Sequence, residues 1–310
     1  MLQSPAVIKM TVIFVQVFIL FTFVAAGYLL SKFKLVDPDK SGILSTLLVY
    51  VVLPCNVFLT FSRNFTVSYV AANADMLISS VIMIFIVMVL ANITGRFLAK
   101  ERYEQYLYEY SFVIPNYGYM GFSLAEALLG EVGLMNIMTF SLPSCVYIYT
   151  MGYAMLTRQK LNFRKLINPV IIANILGIIV GLSGFTMPNV IMDICEKATV
   201  CMGPISMLLT GIVVAELPLI RIIKKKSVYI LILIRTIIFP IALYAILSRF
   251  CSPTLTQTAV LFYAMPFGLN TVVFPKLLNE NCETGMSLAL VSTLTACITL
   301  PIVLGLTIGI

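Results

Sequence analysis

The sequence contains no histidine among its 310 residues. Enzymes that use a histidine to activate a serine or cysteine, and proteins that bind zinc through histidine, therefore lack an essential group here. A phosphate-binding loop of the GxxxxGK[ST] type is also absent, so ATP is not expected to drive the protein directly. We expect no catalytic residues, no cofactor and no resident metal ion, and hence no enzyme.

Charged side chains are also scarce. They make up 11% of the chain, whereas soluble domains carry about 25%. Hydrophobic residues make up 60% and the mean hydropathy is +1.03. They form runs of the roughly 20 residues that a helix needs to cross a bilayer, without the alternating segments of a membrane β-barrel. The sequence predicts an all-α polytopic membrane protein, with the lipid bilayer as a partner.

Basic residues concentrate in short loops between ten predicted spans. With the amino terminus outside the cytoplasm, fifteen of the twenty Lys and Arg residues fall in cytoplasmic loops and four fall outside, with Arg235 inside a span. Such a bias is typical of cytoplasmic loops, and it accounts for the net charge of +7 without a nucleic-acid partner. We therefore predict a multi-pass protein of the cell membrane with both termini extracytoplasmic.

Two of the predicted spans are interrupted by proline together with glycine and asparagine. Residues 104–129 contain Pro115-Asn116-Tyr117-Gly118-Tyr119-Met120-Gly121, and residues 254–278 contain Met265-Pro266-Phe267-Gly268-Leu269-Asn270. Proline breaks a helix, and at membrane depth the freed backbone groups are tolerated only inside protein or beside a hydrated cavity. Broken helices at matching places in two halves are typical of a carrier's binding site.

The two halves of the chain show a diverged repeat at an offset of 150 or 151 residues. The matching residues are Gly27 with Gly177, Pro38 with Pro188, Pro54 with Pro204, and Pro115 with Pro266. Each half holds five predicted spans, and because five is odd the second half enters the membrane inverted. The predicted units are residues 1–157 as the first five-helix repeat, 158–165 as a short basic cytoplasmic loop, and 166–310 as the second repeat.

The order and spacing of several motifs resemble the auxin efflux carrier family over essentially the whole chain. These motifs are Pro115-Asn116, Met120-Gly121, Asn168-Pro169, Pro204, Met265-Pro266, Gly268-Leu269-Asn270, Phe274-Pro275-Lys276 and Leu300-Pro301. The family includes plant auxin exporters and bacterial permeases for malonate, malate and related organic acids. The short loop 158–165 lacks the long hydrophilic insertion of many plant members, so the resemblance implies a bacterial-type organic-acid permease.

The resemblance implies that the broken fourth and ninth helices cross near mid-membrane. Residues 67–156 and 228–307 would form a transport part that moves like an elevator against a scaffold part, residues 7–61 and 166–217. The scaffold is often the face through which family members form homodimers. The implied function is secondary active transport of a small organic anion, such as a malonate-like, malate-like or auxin-like carboxylate.

The chemistry of the two breaks suits a carboxylate. Backbone N–H groups at a helix start attract anions, the amides of Asn116 and Asn270 donate without adding a fixed charge, and glycine permits close backbone approach. The predicted substrate-binding residues are Pro115, Asn116, Tyr117, Gly118, Gly121, Pro266, Phe267, Gly268, Leu269 and Asn270, with Asn56 as a further candidate.

Charged residues within the spans are candidates for ion coupling, because burying a charge in a bilayer costs at least about 2.5–3.5 kcal/mol. Asp75 and Glu126 could exchange a coupling proton, and the sequence leaves a proton, a sodium ion and no coupling open. Arg235 is expected to extend to the membrane surface or to pair with a carboxylate. An anion channel or uncoupled facilitator is the alternative function, although no repeated filter sequence is visible.

Overall fold

The computed structural model describes residues 5–37, 41–160, 167–215, 225–272 and 283–307. The motif Phe274-Pro275-Lys276 and residues 161–165 of the predicted basic loop lie outside these ranges. Within them every regular element is helical and no β-strand is present. The all-helical fold class predicted from composition is therefore confirmed.

The helices are numbered here in chain order. In the first half they are α1 Pro5–Lys32, α2 Ser41–Leu47, α3 Leu53–Asn64, α4 Val67–Ala72, α5 Ala74–Leu98, α6 Arg102–Val113, α7 Phe122–Tyr147 and α8 Tyr153–Thr157. In the second half they are α9 Pro169–Ser183, α10 Asn189–Val200, α11 Met202–Ala215, α12 Lys226–Ile232, α13 Phe239–Phe250, α14 Pro253–Ala264 and α15 Glu283–Thr307. Four π-helical turns join or precede these helices: Leu48–Val52, Tyr117–Gly121, Ile148–Gly152 and Leu233–Ile238.

Several helical stretches are long and apolar enough to cross a bilayer, which requires about 20 residues. In the described ranges six stretches meet this requirement: Gly42–Asn64, Ala74–Leu98, Phe122–Thr157, Asn189–Ala215, Lys226–Phe250 and Glu283–Thr307. Their outward faces are apolar: Phe85 is 63% exposed and Ile298 is 65% exposed. This is the pattern of a multi-pass membrane protein.

The predicted number of ten spans stays a prediction. Helices α6 and α14 have only 12 residues each, too few to cross a bilayer alone. The long stretch Phe122–Thr157 is interrupted at Gly130, whose backbone (φ 68°, ψ −166°) is not helical. Because glycine lacks a Cβ, it adopts positive φ without strain. The interruption falls between residues 129 and 132, where the sequence predicts one span to end and the next to begin.

Two helix pairs pack closely through glycine. Helix α1 packs against α11, where a Cβ on Gly27 would lie 2.2 Å from the Leu208 carbonyl oxygen and one on Gly211 would lie 2.0 Å from the Val24 carbonyl oxygen. Helix α9 packs against α3 in the same way, since a Cβ on Gly181 would lie 2.5 Å from the Phe61 carbonyl oxygen. An offset of 150 residues relates α1 to α9 and α3 to α11, so the two contacts are equivalent under the predicted repeat.

Candidate functional site

The first helix break occurs at the predicted proline. Helix α6 ends at Val113, Ile114 is extended (φ −108°, ψ 108°), and a π-helical turn follows from Tyr117. The N–H groups of Met120 and Gly121 both donate to the carbonyl oxygen of Asn116, at 3.1 and 3.0 Å. Asn116 is therefore the N-cap residue of the new half-helix. The N–H groups that follow it belong to a helix start, where intrahelical acceptors are missing.

The second break occurs at the equivalent place and pairs with the first. Helix α14 ends at Ala264, and residues 265–268 are not helical. The N–H of Asn116 donates to the Pro266 carbonyl at 2.8 Å, and the N–H of Gly268 donates to the Ile114 carbonyl at 3.3 Å. These bonds form a short antiparallel bridge between the two extended segments. Each break thus satisfies backbone groups of the other, as burial away from water requires.

Arg235 binds the ends of both interrupted helices. Its Nε donates to the carbonyl oxygen of Phe112, near the end of α6, and an Nη donates to that of Tyr263, near the end of α14. Phe112 and Tyr263 are 151 residues apart, so one cation serves two repeat-equivalent carbonyls. The C-terminal end of a helix carries a partial negative charge, which the guanidinium compensates.

The expectation that Arg235 reaches the membrane surface or pairs with a carboxylate is wrong. Its side chain is fully buried, with 0% exposed, and the acceptors are backbone carbonyls. The reason is that both helices break at the same place. The carbonyl groups of Phe112 and Tyr263, in the last turns of the two helices, therefore lie close together without intrahelical donors. A fork of guanidinium donors can satisfy both.

A cavity of about 390 Å³ lies beside the paired breaks. Its polar lining comes from hydroxyl and amide groups and from the backbone of the breaks, and none of its described lining residues carries a formal charge. From the breaks, the cavity is lined by Ile114, Pro115, Asn116, Tyr117, Gly118, Gly268, Leu269 and Asn270. The facing helices contribute Ser45, Thr46, Tyr50, Ser141, Cys145, Tyr149 and Asn174, among others.

The amide of Asn116 is the unsatisfied donor of this first cavity. Asn116 is 3% exposed, and its Nδ2 has no hydrogen-bond partner in the described structure. The amide of Asn270 differs, because its Nδ2 donates to the hydroxyl oxygen of Tyr110 at 2.8 Å. Leaving a buried donor unpaired costs about 1–3 kcal/mol. A ligand acceptor in the first cavity would remove that cost at Asn116.

The predicted site residues divide into three groups. Seven line the first cavity: Pro115, Asn116, Tyr117, Gly118, Gly268, Leu269 and Asn270. Three others, Gly121, Pro266 and Phe267, do not line it. A Cβ on Gly121 would meet the Met265 sulfur at 2.4 Å, Phe267 is fully buried and its N–H donates to Ser292, and Pro266 accepts from Asn116. Asn56 lies elsewhere, in a second cavity.

This second cavity has a volume of about 590 Å³ and a different character. Its polar lining includes Asn56, Arg63, Glu126, Glu131 and Glu196. Along α7 the second cavity is lined by Ser123, Glu126, Ala127, Glu131 and Leu134, whereas the first cavity is lined by Phe122, Met138, Ser141, Leu142 and Cys145. Apart from Phe122, the α7 residues that line the first cavity therefore follow those that line the second cavity along the helix.

The coupling candidates are also separated. Glu126 lines the second cavity. Asp75 is exposed in the first turn of α5, where its carboxylate accepts from the N–H of Met76 at 2.9 Å and from the hydroxyl of Ser252 at 3.4 Å. An acid at this position stabilises the start of its own helix. Asp75 lines neither cavity.

Sequence reasoning missed several lining groups on the facing helices. Ser141 and Asn174 line the first cavity and carry no motif, and only the folded chain brings them beside the breaks. The same holds for Tyr110 of α6, which does not line the cavity but accepts from the Asn270 amide. The buried Arg235 did carry a signal, since a lone arginine within a predicted span is rare. Its partners were hidden, because backbone carbonyls leave no trace in a sequence.

Comparison with known proteins gives a consistent result. A family model described as "Membrane transport protein" matches residues 12–163 and again residues 155–304. A protein of Rhizobium meliloti (strain 1021) named "Putative malonate transporter" is 24% identical over 290 residues, covering 88% of this chain and 89% of that protein. An "Uncharacterized transporter" of Methanocaldococcus jannaschii is 24% identical over 207 residues, covering 63% of this chain and 67% of that protein.

Proposed function

The chain belongs to the membrane transport protein family, as its resemblance to the auxin efflux carriers indicated, and from that premise we propose that it is a secondary carrier of a small organic anion. The observation that carries the proposal is Asn116, which lines the uncharged first cavity at the start of a half-helix and has a buried amide nitrogen without a hydrogen-bond partner in the described structure. The names of the matching proteins are those of transporters, not enzymes.

The cavity's chemistry favours a carboxylate. Each half-helix start contributes about 0.3–1 kcal/mol toward an anion, and more where water is scarce. The Asn116 amide adds a donor without a fixed positive charge, so the substrate is not held too tightly to leave. A volume of about 390 Å³ is at the small end of ligand sites, which run from about 300 to 1,000 Å³. Both a malonate-like dicarboxylate and an indole acid fit this volume, and the dicarboxylate is favoured by the short loop 158–165 and by the similarity to a protein named "Putative malonate transporter".

The proposed architecture has ten spans in two inverted repeats, residues 1–157 and 166–310, with the fourth and ninth helices broken and crossing. The double match of the family model and the equivalent glycine contacts of α1 and α9 support it. The first cavity lies between the proposed parts. Its lining residues 45–61 and 170–174 belong to the scaffold, and residues 114–149 and 268–270 belong to the transport part.

This placement supports an elevator-type mechanism. The bridge between Pro115 and Phe267 and the bonds of Arg235 tie the two breaks into one unit, so they would move together. The site would then be carried past the scaffold and exposed alternately toward each end of the molecule. We further propose that both termini are extracytoplasmic, and that the scaffold face forms a homodimer.

The competing function is an anion channel or an uncoupled facilitator. Transport into liposomes that contain the purified protein distinguishes a carrier from a channel. A carrier gives saturable malonate uptake that is accelerated by unlabelled malonate on the opposite side, because the loaded site returns faster than the empty one. A channel gives non-saturating flux and single-channel currents, without acceleration from the opposite side. Absence of both activities with every mono- and dicarboxylate tested would overturn the proposed function.

A further inference from the structure

The second cavity is lined by Asn56, whose side-chain carbonyl oxygen has no hydrogen-bond partner in the described structure. Asn56 is 2% exposed, and its Oδ1 accepts no hydrogen bond in the described structure. Asn56 lies on α3, in the proposed scaffold, and lines the cavity together with Glu126 of α7, in the proposed transport part. An unused acceptor at the wall of a cavity indicates a ligand that donates a hydrogen bond or carries positive charge.

The charges around this cavity indicate a cation. Arg63 is its one described cationic lining residue, and it already forms an ion pair with Glu196 at 2.8 Å. Glu131 accepts from the amide of Asn64 at 3.0 Å, which does not neutralise it. Glu126 adds a further carboxylate. The balance is therefore two negative charges in excess, in contrast to the uncharged first cavity.

The available ligands suit a hard monovalent ion. Carboxylate, amide and hydroxyl oxygens dominate the polar lining, and such ligands prefer alkali and alkaline-earth cations to soft metals. The described residues contain no group of three or more His, Cys, Asp and Glu residues that could hold a metal ion. Divalent cations usually require several carboxylates, whereas an ion of single charge does not.

We propose that the second cavity binds a monovalent metal cation of the size of sodium, with the Asn56 carbonyl and the Glu126 carboxylate among its ligands. Because Asn56 and Glu126 lie on the two parts that would move against each other, the ion's binding would depend on the position of the transport part. The role of this cation as a coupling ion for the anion rests on the proposed carrier function. The binding itself is independent of any substrate.

The test measures cation binding to purified protein without an organic anion. The thermal unfolding temperature is recorded while sodium, lithium or potassium chloride replaces choline chloride at constant ionic strength. The variants are Asn56→Leu, which removes the carbonyl at similar volume, and Glu126→Gln. The matched control is Asp193→Asn, an exposed acid of α10 that does not line the cavity.

We expect a saturable rise of several degrees with sodium in the wild type and in Asp193→Asn. In Asn56→Leu and Glu126→Gln, the sodium concentration that gives half of the maximal rise in unfolding temperature should increase at least about tenfold. A wild type without a saturable response to any of the three ions would overturn the proposal. So would a sodium response in both cavity variants that equals the wild-type response. Because the assay contains no malonate, these results are separate from success or failure of the transport assay.

Discussion

At the scale of single residues, Asn116 and Arg235 have opposite roles at the same crossing. Asn116 begins a half-helix and leaves its amide donor free beside the first cavity. Arg235 compensates the ends of the two preceding half-helices and is enclosed by the aromatic rings of Phe112 and Tyr263. The first residue is therefore suited to a ligand and the second to the fold.

This difference predicts different effects of substitution. Asn116→Ala removes an unpaired buried donor, so the unfolding temperature without substrate should stay equal to the wild-type value or rise slightly. Transport should fall at least about tenfold, since a hydrogen bond to a charged group contributes about 1.5–3 kcal/mol. Thermal unfolding and liposome uptake measure the two effects. A large loss of stability with unchanged uptake would show that Asn116 is structural.

Arg235→Met should instead destabilise the protein. It leaves the carbonyl groups of Phe112 and Tyr263 buried without donors, at about 1–3 kcal/mol for each group. Arg235→Lys keeps the charge but loses the fork of donors, so its unfolding temperature should be intermediate. Arg249→Met is the matched control, because Arg249 is exposed in the last turn of α13. Equal unfolding temperatures for all three variants would contradict the assigned role of Arg235.

At the scale of helices, close glycine contacts fix how α1 meets α11 and how α9 meets α3. Membrane helices associate through small residues that allow their backbones to approach. Here the carbonyl oxygens of the neighbouring helix occupy the place of the missing Cβ atoms. Such close packing suits the proposed scaffold.

The glycine contacts predict a sharp difference between two conservative substitutions. Gly211→Ala places a methyl group 2.0 Å from the Val24 carbonyl oxygen, so the helices must separate, at a cost of about 1–3 kcal/mol. Gly42→Ala meets nothing within 4 Å, and an alanine within a helix is worth roughly 0.5–1 kcal/mol over glycine. The unfolding temperature should fall in the first variant and stay equal or rise in the second. The reverse order would exclude the described packing of α1 on α11.

At the scale of the whole molecule, the positions of the loops relative to the membrane can be tested directly. In a background without native cysteines, Gln159→Cys marks the predicted cytoplasmic loop, and Phe185→Cys marks the loop between α9 and α10, where Phe185 is 62% exposed. A thiol reagent that cannot cross membranes should label Phe185→Cys on intact cells and Gln159→Cys only after permeabilisation. The opposite pattern would reverse the proposed orientation.

Sequence reasoning reached the helical class, the family and the positions of both breaks, because each depends on local chemistry. Long apolar runs, proline within them and basic loops are readable residue by residue. Seven of the predicted site residues line the first cavity, whereas Gly121, Pro266, Phe267 and Asn56 do not. Which side of a helix faces a cavity depends on packing between distant segments. For the same reason, the bonds of Arg235 to two backbone carbonyls became visible only in the fold.

The central claim is that the free amide of Asn116, at the paired breaks, binds an organic anion. Titration calorimetry with malonate on the purified wild type, Asn116→Ala and Asn174→Ala tests it most directly. Asn174 also lines the first cavity, but its Nδ2 already donates to the Val170 carbonyl at 2.9 Å. The account predicts saturable binding that weakens at least about tenfold in Asn116→Ala and little in Asn174→Ala. Equal affinity in the wild type and Asn116→Ala would contradict it.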